Sequence, residues 1–350
     1  MEYRSIGRTG MTTSAIGLGM EHLLRPSVQR RVVRRAIDDG VTFFDLMIWR
    51  PALKDSFGEA LRGQREGIVL AGHLGAAEER GAYRRTRDVA ECESLWHDWL
   101  RRLGTDRIDI CHISNMDEPD DYAQVTGAGG IVDLARRLRE AGKARAISLS
   151  CHNPEVGLWA IRDGWADVVM NPITMVWHAD AAMHRLTQAC VEHGVGLLGM
   201  KPFFGGRLLE VPDPPTPVQC LHYTLSQPGV AVAVTGVRGV GELESAMGYW
   251  AASVGERDYS PLLGRTPDFE RLFCTMCEHC QPCPEGVNIA GALRLLPLSA
   301  KGVTPELRAQ YERLKHRPSA CTGCAICAPR CPFGRDIPTE LAEVVRRFGE

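Results

Sequence analysis

Gly40-Val41-Thr42-Phe43-Phe44-Asp45 is a short apolar run, β-branched and aromatic, that closes on a carboxylate. Residues of that kind read as a buried strand, because Val, Thr and Phe pack well on a pleated sheet. Just upstream, positions 28–39 repeat apolar residues at helical spacing, with Arg30, Arg31, Arg34 and Arg35 on the outer, solvated face. This helix–strand unit recurs along the chain. Strands are predicted at 15–19, 41–45, 67–72, 108–113, 145–150, 166–171, 195–200 and 230–235. Helices are predicted between them, at 28–39, 87–103, 131–141, 155–163, 180–193 and 217–226. Such alternation predicts an α/β fold, an eight-stranded (β/α)8 TIM barrel over residues 1–258. A doubly wound open sheet is the competing arrangement. It lacks its signature here, since no Gly-x-Gly-x-x-Gly opens a helix after a strand with the expected acidic residue following.

In barrels of this kind the chemistry gathers at the C-terminal ends of the strands. That rule selects Glu21 and His22, Asp45, Trp49, His73, His112 to Asn115, Cys151 to Asn153, Asn171 and Lys201. Asp45 is the hardest to explain as a structural residue, because a carboxylate at that depth must be paired or solvated.

The remaining 259–350 segment is set apart by its cysteines. The chain has 13, and eight of them fall in two runs, Cys274-x2-Cys277-x2-Cys280-x2-Cys283-Pro284 and Cys321-x2-Cys324-x2-Cys327-x3-Cys331-Pro332. Three thiolates at two-residue gaps can wrap one corner of an iron–sulfur cube, and the fourth iron takes its ligand from elsewhere. The runs resemble two-cluster ferredoxins, in which the cysteine before proline in one run serves the cluster of the other. On that pattern Cys274, Cys277, Cys280 and Cys331 hold one [4Fe–4S] cluster, and Cys321, Cys324, Cys327 and Cys283 hold a second. A small ferredoxin-like domain stapled by its two clusters is therefore expected. Structural zinc is the alternative for paired Cys-x2-Cys elements, but it takes four ligands per ion and gives the uniformly spaced extra thiols no role. The other five, Cys92, Cys111, Cys151, Cys190 and Cys220, are scattered and read as small core residues.

Bulk properties exclude other classes. The net charge of −2 provides no field for nucleic acid or an anionic membrane surface. No stretch approaches the roughly 20 apolar residues of a membrane helix, and Met1-Glu2-Tyr3-Arg4-Ser5 has no apolar leader. Many cysteines without a secretory signal point to free or metal-bound thiols in a reducing, cytoplasmic setting.

Several stretches together resemble the aldo-keto reductase superfamily, in its members with a C-terminal ferredoxin-type extension. They are Tyr3-Arg4-Ser5-Ile6-Gly7-Arg8-Thr9-Gly10, Gly40 to Asp45, Arg102-Leu103-Gly104-Thr105-Asp106-Arg107-Ile108-Asp109 and Ser150-Cys151-His152-Asn153-Pro154-Glu155-Val156. Met200-Lys201-Pro202-Phe203-Phe204-Gly205-Gly206-Arg207-Leu208 and Gly236-Val237-Arg238 follow in the same order. The resemblance implies an NADP(H)-using barrel that reduces carbonyls with an Asp, Tyr, Lys and His set. The aspartate is kept as Asp45. At the tyrosine position stands Arg50, preceded by Trp49; at the lysine position, His73; at the histidine position, Ser114, with His112 two residues before it. Tyr122 is a further phenol, in the loop expected after the fourth strand.

With no phenol beside an ammonium, a different chemistry is expected. His73 and His112 can move protons near neutral pH, Arg50 can clamp a carboxylate, and Trp49 can form an aromatic wall. Two imidazoles and one carboxylate also suit a mononuclear metal site. For NADP(H), the resemblance implies backbone approach to the pyrophosphate at Gly205 and Gly206, with Lys201, Arg207 and Gly236 nearby. It also implies a 2′-phosphate contact at Arg238, and nicotinamide contacts at Ser150 and Asn171.

The function expected is thus an iron–sulfur oxidoreductase acting on a small substrate, with electrons from NADP(H), the clusters, or both. An external redox partner of ferredoxin or flavodoxin type would complete it. The alternative is a non-catalytic electron-transfer or scaffold protein on a retired barrel.

Overall fold

The computed structural model describes residues 1–48, 50–79, 82–211, 213–265, 274, 278–300, 302–331 and 333–349. Two compact units divide the chain: Met1–Ala77 with Arg85–Pro267, and Glu78–Arg84 with Asp268–Glu350. The first extends past the boundary expected at 258. Residues just beyond that point are held by it: Gln219 Nε2 donates to the Asp258 carbonyl at 2.8 Å and Arg265 Nη1 to the Asp213 carbonyl at 2.9 Å.

All eight predicted strands are present in the first unit: β1 Ile16–Gly19, β2 Phe43–Asp45, β3 Val69–Leu74, β4 Ile110–Ser114, β5 Ala146–Ser150, β6 Val168–Pro172, β7 Gly196–Met200 and β8 Val230–Gly236. They close in chain order into a parallel barrel, with β8 returning to β1. Helices cover its outside, including Pro26–Asp38, Val89–Leu103, Ile131–Glu140, Pro154–Arg162, Ala181–His193 and Pro217–Ser226. Their ends follow local chemistry. Asp88, Asn153, Asp180 and Thr216 accept from first-turn amides as N-caps, each such cap being worth about 1 kcal/mol.

Strand alternation separates two apolar layers. Phe44, Leu70, Cys111, Ile147 and Val169 face the helices, while Phe43, Val69, Ala71, Ile110, Ala146, Val168, Met170, Leu198, Val232 and Val234 fill the barrel interior. Gly17 makes room for this filling, since a Cβ there would lie 2.6 Å from the Phe43 ring. A hairpin of Tyr3–Ser5 with Thr12–Ser14 brings Ile6 and Met11 into the same interior cluster. A second hairpin, Ala76–Glu79 with Ala82–Arg85, follows β3 and was not expected from the sequence.

In the second unit, the described residues from 278 to 349 form α-helices Ile289–Leu298, Pro305–Glu312 and Ile337–Phe348, a short 3-10 turn, and no strand. Tyr311 stacks on Phe348 with ring centroids 4.5 Å apart. The two long helices are preceded by matching local structure: Cys283-Pro-x-Gly286-x-Asn288-Ile289 and Cys331-Pro-x-Gly334-x-Asp336-Ile337. Gly286 and Gly334 both take the left-handed backbone (φ +70° and +60°), which carries no Cβ penalty in glycine. Asn288 and Asp336 both cap their helices, and Ile289 and Ile337 are both buried. Upstream, Glu278 and Ala325 sit at matching places in the two runs with φ of 59° and 58°. No helix among the described residues is long and apolar enough to cross a membrane.

Candidate functional site

The period of two that places Phe43, Ala71, Ile110 and Ala146 inside the barrel also turns Asp45, His73, His112, Ser114, Ser148 and Ser150 inward. These polar residues lie toward the C-terminal end of β2 to β5, above the apolar filling. Strand register makes them neighbours: His73 opposes His112, His112 opposes Ser148, and Ser114 opposes Ser150. The third strand continues two residues beyond the expected 72, so His73 is a strand residue with a fixed direction rather than a loop residue.

Their side chains form one connected layer. His73 Nε2 lies 2.6 Å from Asp45 Oδ1, and its Nδ1 lies 2.6 Å from Ser114 Oγ. His112 Nδ1 meets Ser148 Oγ at 2.8 Å. The His112 Nε2 stands 3.8 Å from Asp45 Oδ1 and has no hydrogen-bond partner among the described residues. All are buried, His112 completely. Burial, and secondarily the neighbouring His73, hold the His112 imidazole well below its ordinary pKa, so the ring stays neutral. Asp45, His73 and His112 offer one carboxylate oxygen and two ring nitrogens within 4.8 Å of one another. The sequence-based candidates thus included Asp45, His73, His112 and Ser114 but missed Ser148. Its signal was the alternation Ala146-x-Ser148-x-Ser150, which turns all three side chains inward.

The other candidates are more dispersed. Trp49 lies outside the described residues, and Arg50 is the exposed N-cap of the helix Pro51–Leu61. Tyr122 lies on a helix, Pro119–Thr126, rather than in a loop; its hydroxyl donates to Asp163 Oδ2 at 2.6 Å and accepts from Trp165 Nε1 at 3.1 Å. It is committed there. Asn171 is the penultimate residue of β6, and its Nδ2 donates to the Cys151 carbonyl at 3.1 Å. Lys201 follows β7 in a left-handed conformation (φ 57°), and Gly205 and Gly206 take φ of 65° and 84° in the next turn. No atom lies within 4 Å of where a Cβ would sit on Gly206, Gly239 or Gly241 among the described residues. Arg207 is buried and donates to Glu210 Oε2 at 2.7 Å. Gly236 ends β8 beside the His22 ring, and Arg238 is exposed, its Nε donating to Glu242 Oε1 at 2.9 Å. A second acid–imidazole contact was not anticipated: Asp117 Oδ1 accepts from the backbone N–H of His152 at 2.5 Å and of Asn153 at 3.0 Å, with His152 Nδ1 3.4 Å from Oδ2.

In the second unit the cysteines sort into two groups around two cavities. Cys280, Cys283, Cys321, Cys324 and Cys327 line one. Cys274, Cys280 and Cys331 line the other, so Cys280 borders both. Cys277 lies outside the described residues. Burial first, then the nearby Cys321, Cys283 and Cys324 thiols, push the Cys327 thiol up. Cys92, Cys111, Cys151, Cys190 and Cys220 are buried in the barrel unit, and desolvation raises every one of their pKa values.

Comparison with known proteins agrees with the barrel. Residues 15–219, more than half of the chain, match the family model described as "Aldo/keto reductase family". L-glyceraldehyde 3-phosphate reductase of Escherichia coli (strain K12) is 26% identical over 167 residues, covering 44% of this chain and 46% of that protein. Aldo-keto reductase YhdN of Bacillus subtilis (strain 168) is 27% identical over 164 residues, covering 43% and 47%. The chain spans about half the length of the curated relatives it matches. The structure of aldo-keto reductase AKR11C1 from Bacillus halodurans (holo form) superposes with a TM-score of 0.62 at 21% identity, covering 75% of this chain and 96% of that one, a likeness of fold.

Proposed function

The chain belongs to the aldo/keto reductase family, and on that premise we propose that it is an iron–sulfur oxidoreductase acting on a small substrate by a route other than Asp-Tyr-Lys-His carbonyl reduction. The observation that carries the proposal is the sorting of the cysteines. Cys283, at the end of the first run, lines the cavity of the second run, and Cys331 lines the cavity of the first. That exchange matches what a two-cluster ferredoxin-type ligand set would require, and the matched Cys-Pro-x-Gly sequences in the two halves suit it. The donor set is all thiolate, which fits [4Fe–4S] clusters. When bound, such clusters pass electrons one at a time.

In the barrel, the proposed site of chemistry is the layer of Asp45, His73, His112 and Ser114. Family resemblance puts His73, Arg50 and Ser114 where a lysine, a tyrosine and a histidine would act. The chain's own residues then hold the substrate's polar group over the layer. Asp45 fixes the orientation of His73, Ser114 occupies its second nitrogen, and the apolar filling below keeps water from the underside. NADP(H) fits in part. The open backbone at Gly206, Gly239 and Gly241 suits a dinucleotide's phosphates, whereas Asn171 spends its amide donor on Cys151. Because the layer keeps chemically active side chains joined by short hydrogen bonds, a working oxidoreductase is favoured over a retired scaffold.

The test is anaerobic reconstitution with iron and sulfide, followed by iron analysis and electron paramagnetic resonance of the reduced protein, then calorimetry with NADPH. About eight iron atoms per chain and a two-cluster spectrum are expected. Stoichiometric zinc with no iron uptake would overturn the cluster assignment. Absence of NADPH binding would leave the clusters as the electron source.

A further inference from the structure

We propose that Asp45, His73 and His112 form a binding site for one divalent first-row transition metal ion at the C-terminal end of the barrel. The ion's part in turnover rests on the oxidoreductase reading above; its binding does not.

Each imidazole is oriented from behind. Ser114 Oγ engages Nδ1 of His73 and Ser148 Oγ engages Nδ1 of His112, so both Nε2 atoms point at the same carboxylate oxygen. Metal-binding histidines are held in this way, with the non-ligating nitrogen bonded to a fixed acceptor. The Ser148 Oγ at His112 Nδ1 accommodates a proton on that nitrogen, the tautomer a metal-binding ring adopts. The Nε2 of His112 then presents a bare lone pair. It faces a carboxylate oxygen 3.8 Å away, in a ring with no solvent exposure and no other partner for that atom among the described residues. Two acceptors facing each other in a buried site are costly, and a cation between them removes the cost.

Charge balance points the same way. Asp45 is buried, and among the described residues its only ion-pair contacts within 4.0 Å are the two histidines. Two nitrogens and one oxygen form a borderline-soft set suited to Zn²⁺, Fe²⁺ or Co²⁺ rather than to Mg²⁺ or Ca²⁺. Ligands sharing such an ion at bond lengths of ~2.1 Å stand about 3.0–3.4 Å apart. The observed 2.6 Å between His73 and Asp45 and 3.8 Å between His112 and Asp45 bracket that spacing. Side-chain adjustments below 1 Å would complete the site (a rough figure from the same bond lengths). Three protein ligands leave a position for water or a substrate oxygen, where the ion would act as a Lewis acid in the absence of a phenol.

The experiment is titration of the full-length, cluster-loaded protein with Co²⁺ under anaerobic conditions, read by visible absorption. Cobalt on nitrogen and oxygen gives ligand-field bands without the intense sulfur charge transfer that cysteine-bound cobalt adds, so the cysteine-rich unit cannot mimic the signal. One equivalent of the nitrogen–oxygen type is expected. H112A and D45N should abolish it. S148A, which keeps all three ligands and so is the mildest change, should weaken it roughly 10- to 100-fold. Absence of that spectrum in the unmodified protein, or unchanged affinity in both S148A and H112A, would overturn the site. Loss of the iron signal alone would count against the clusters and not against this ion.

Discussion

His112 stands beside His73 across the β3–β4 ladder, ring centroids 4.7 Å apart, yet only His73 bonds the carboxylate that both rings face. The two imidazoles should therefore differ in their cost of removal. His73→Phe strands a buried carboxylate and a serine, for which about 3–5 kcal/mol is expected. His112→Phe strands only Ser148 and should cost about 1–2 kcal/mol. Urea denaturation in the presence of a chelator measures both, and equal losses would contradict the asymmetry.

Exchange of the proline-adjacent cysteines has a signature of its own. Cys283→Ala should remove the cluster of the Cys321–Cys324–Cys327 run and spare the other, while Cys331→Ala should do the reverse. Iron analysis should show half the metal in each variant. Electron paramagnetic resonance should show a different surviving cluster in the two. Loss confined to the mutated run's own neighbours would reject cross-ligation.

Lys54 is buried under the Trp99 ring at 4.9 Å and pairs with Asp98 at 3.3 Å. Desolvation lowers its pKa, only partly offset by Asp98. Asp98 has a second cation in Arg102, at 2.8 Å. Lys54→Met should therefore be neutral or stabilising, because it removes a buried charge without orphaning the carboxylate. Asp98→Ala leaves the ammonium buried without its nearest acid and should cost about 3–5 kcal/mol. Thermal unfolding of the two variants gives the ordering.

Acid should weaken the barrel unit through His178 and His222. Burial foremost, then His184 beside His178 and Arg257 and Arg4 beside His222, hold both rings below their ordinary pKa. The unfolded chain then binds more protons than the folded one once the pH drops below about 6.5, so stability falls as pH is lowered through that value. Above it these groups contribute no pH dependence. Urea midpoints at pH 7.5 and 5.5 should show the fall, and His222→Gln should make it shallower.

The barrel was legible because its strands are short apolar runs ending in polar residues, a pattern local enough to read without tertiary knowledge. Asp45 and His112 also follow from that pattern, since alternation from Phe43 and Ile110 turns both inward. Ser148 shares that inward alternation, but a serine in an apolar strand gains a role only when the strand beside it presents a histidine. The destinations of the longer polar side chains were equally opaque. Asn171 bonds Cys151, Arg207 bonds Glu210 and Arg238 bonds Glu242, choices made by rotamers and neighbours rather than by strand position. In the cysteine-rich unit the two cysteine runs were plain in the sequence, but the helices beside them were not, and the hairpin Ala76–Arg85 had no turn signal beyond one glycine at 81.

The hairpin that places Ile6 and Met11 among the interior residues gives the barrel a floor. A vessel stoppered with hydrocarbon at one end and lined with imidazole and hydroxyl toward the other has a direction. Asp45 lies toward the rim, where the loops after the strands can be remodelled without disturbing the stopper. Selectivity for what enters and stability of the container are thereby assigned to opposite ends of the same eight strands, and can evolve separately.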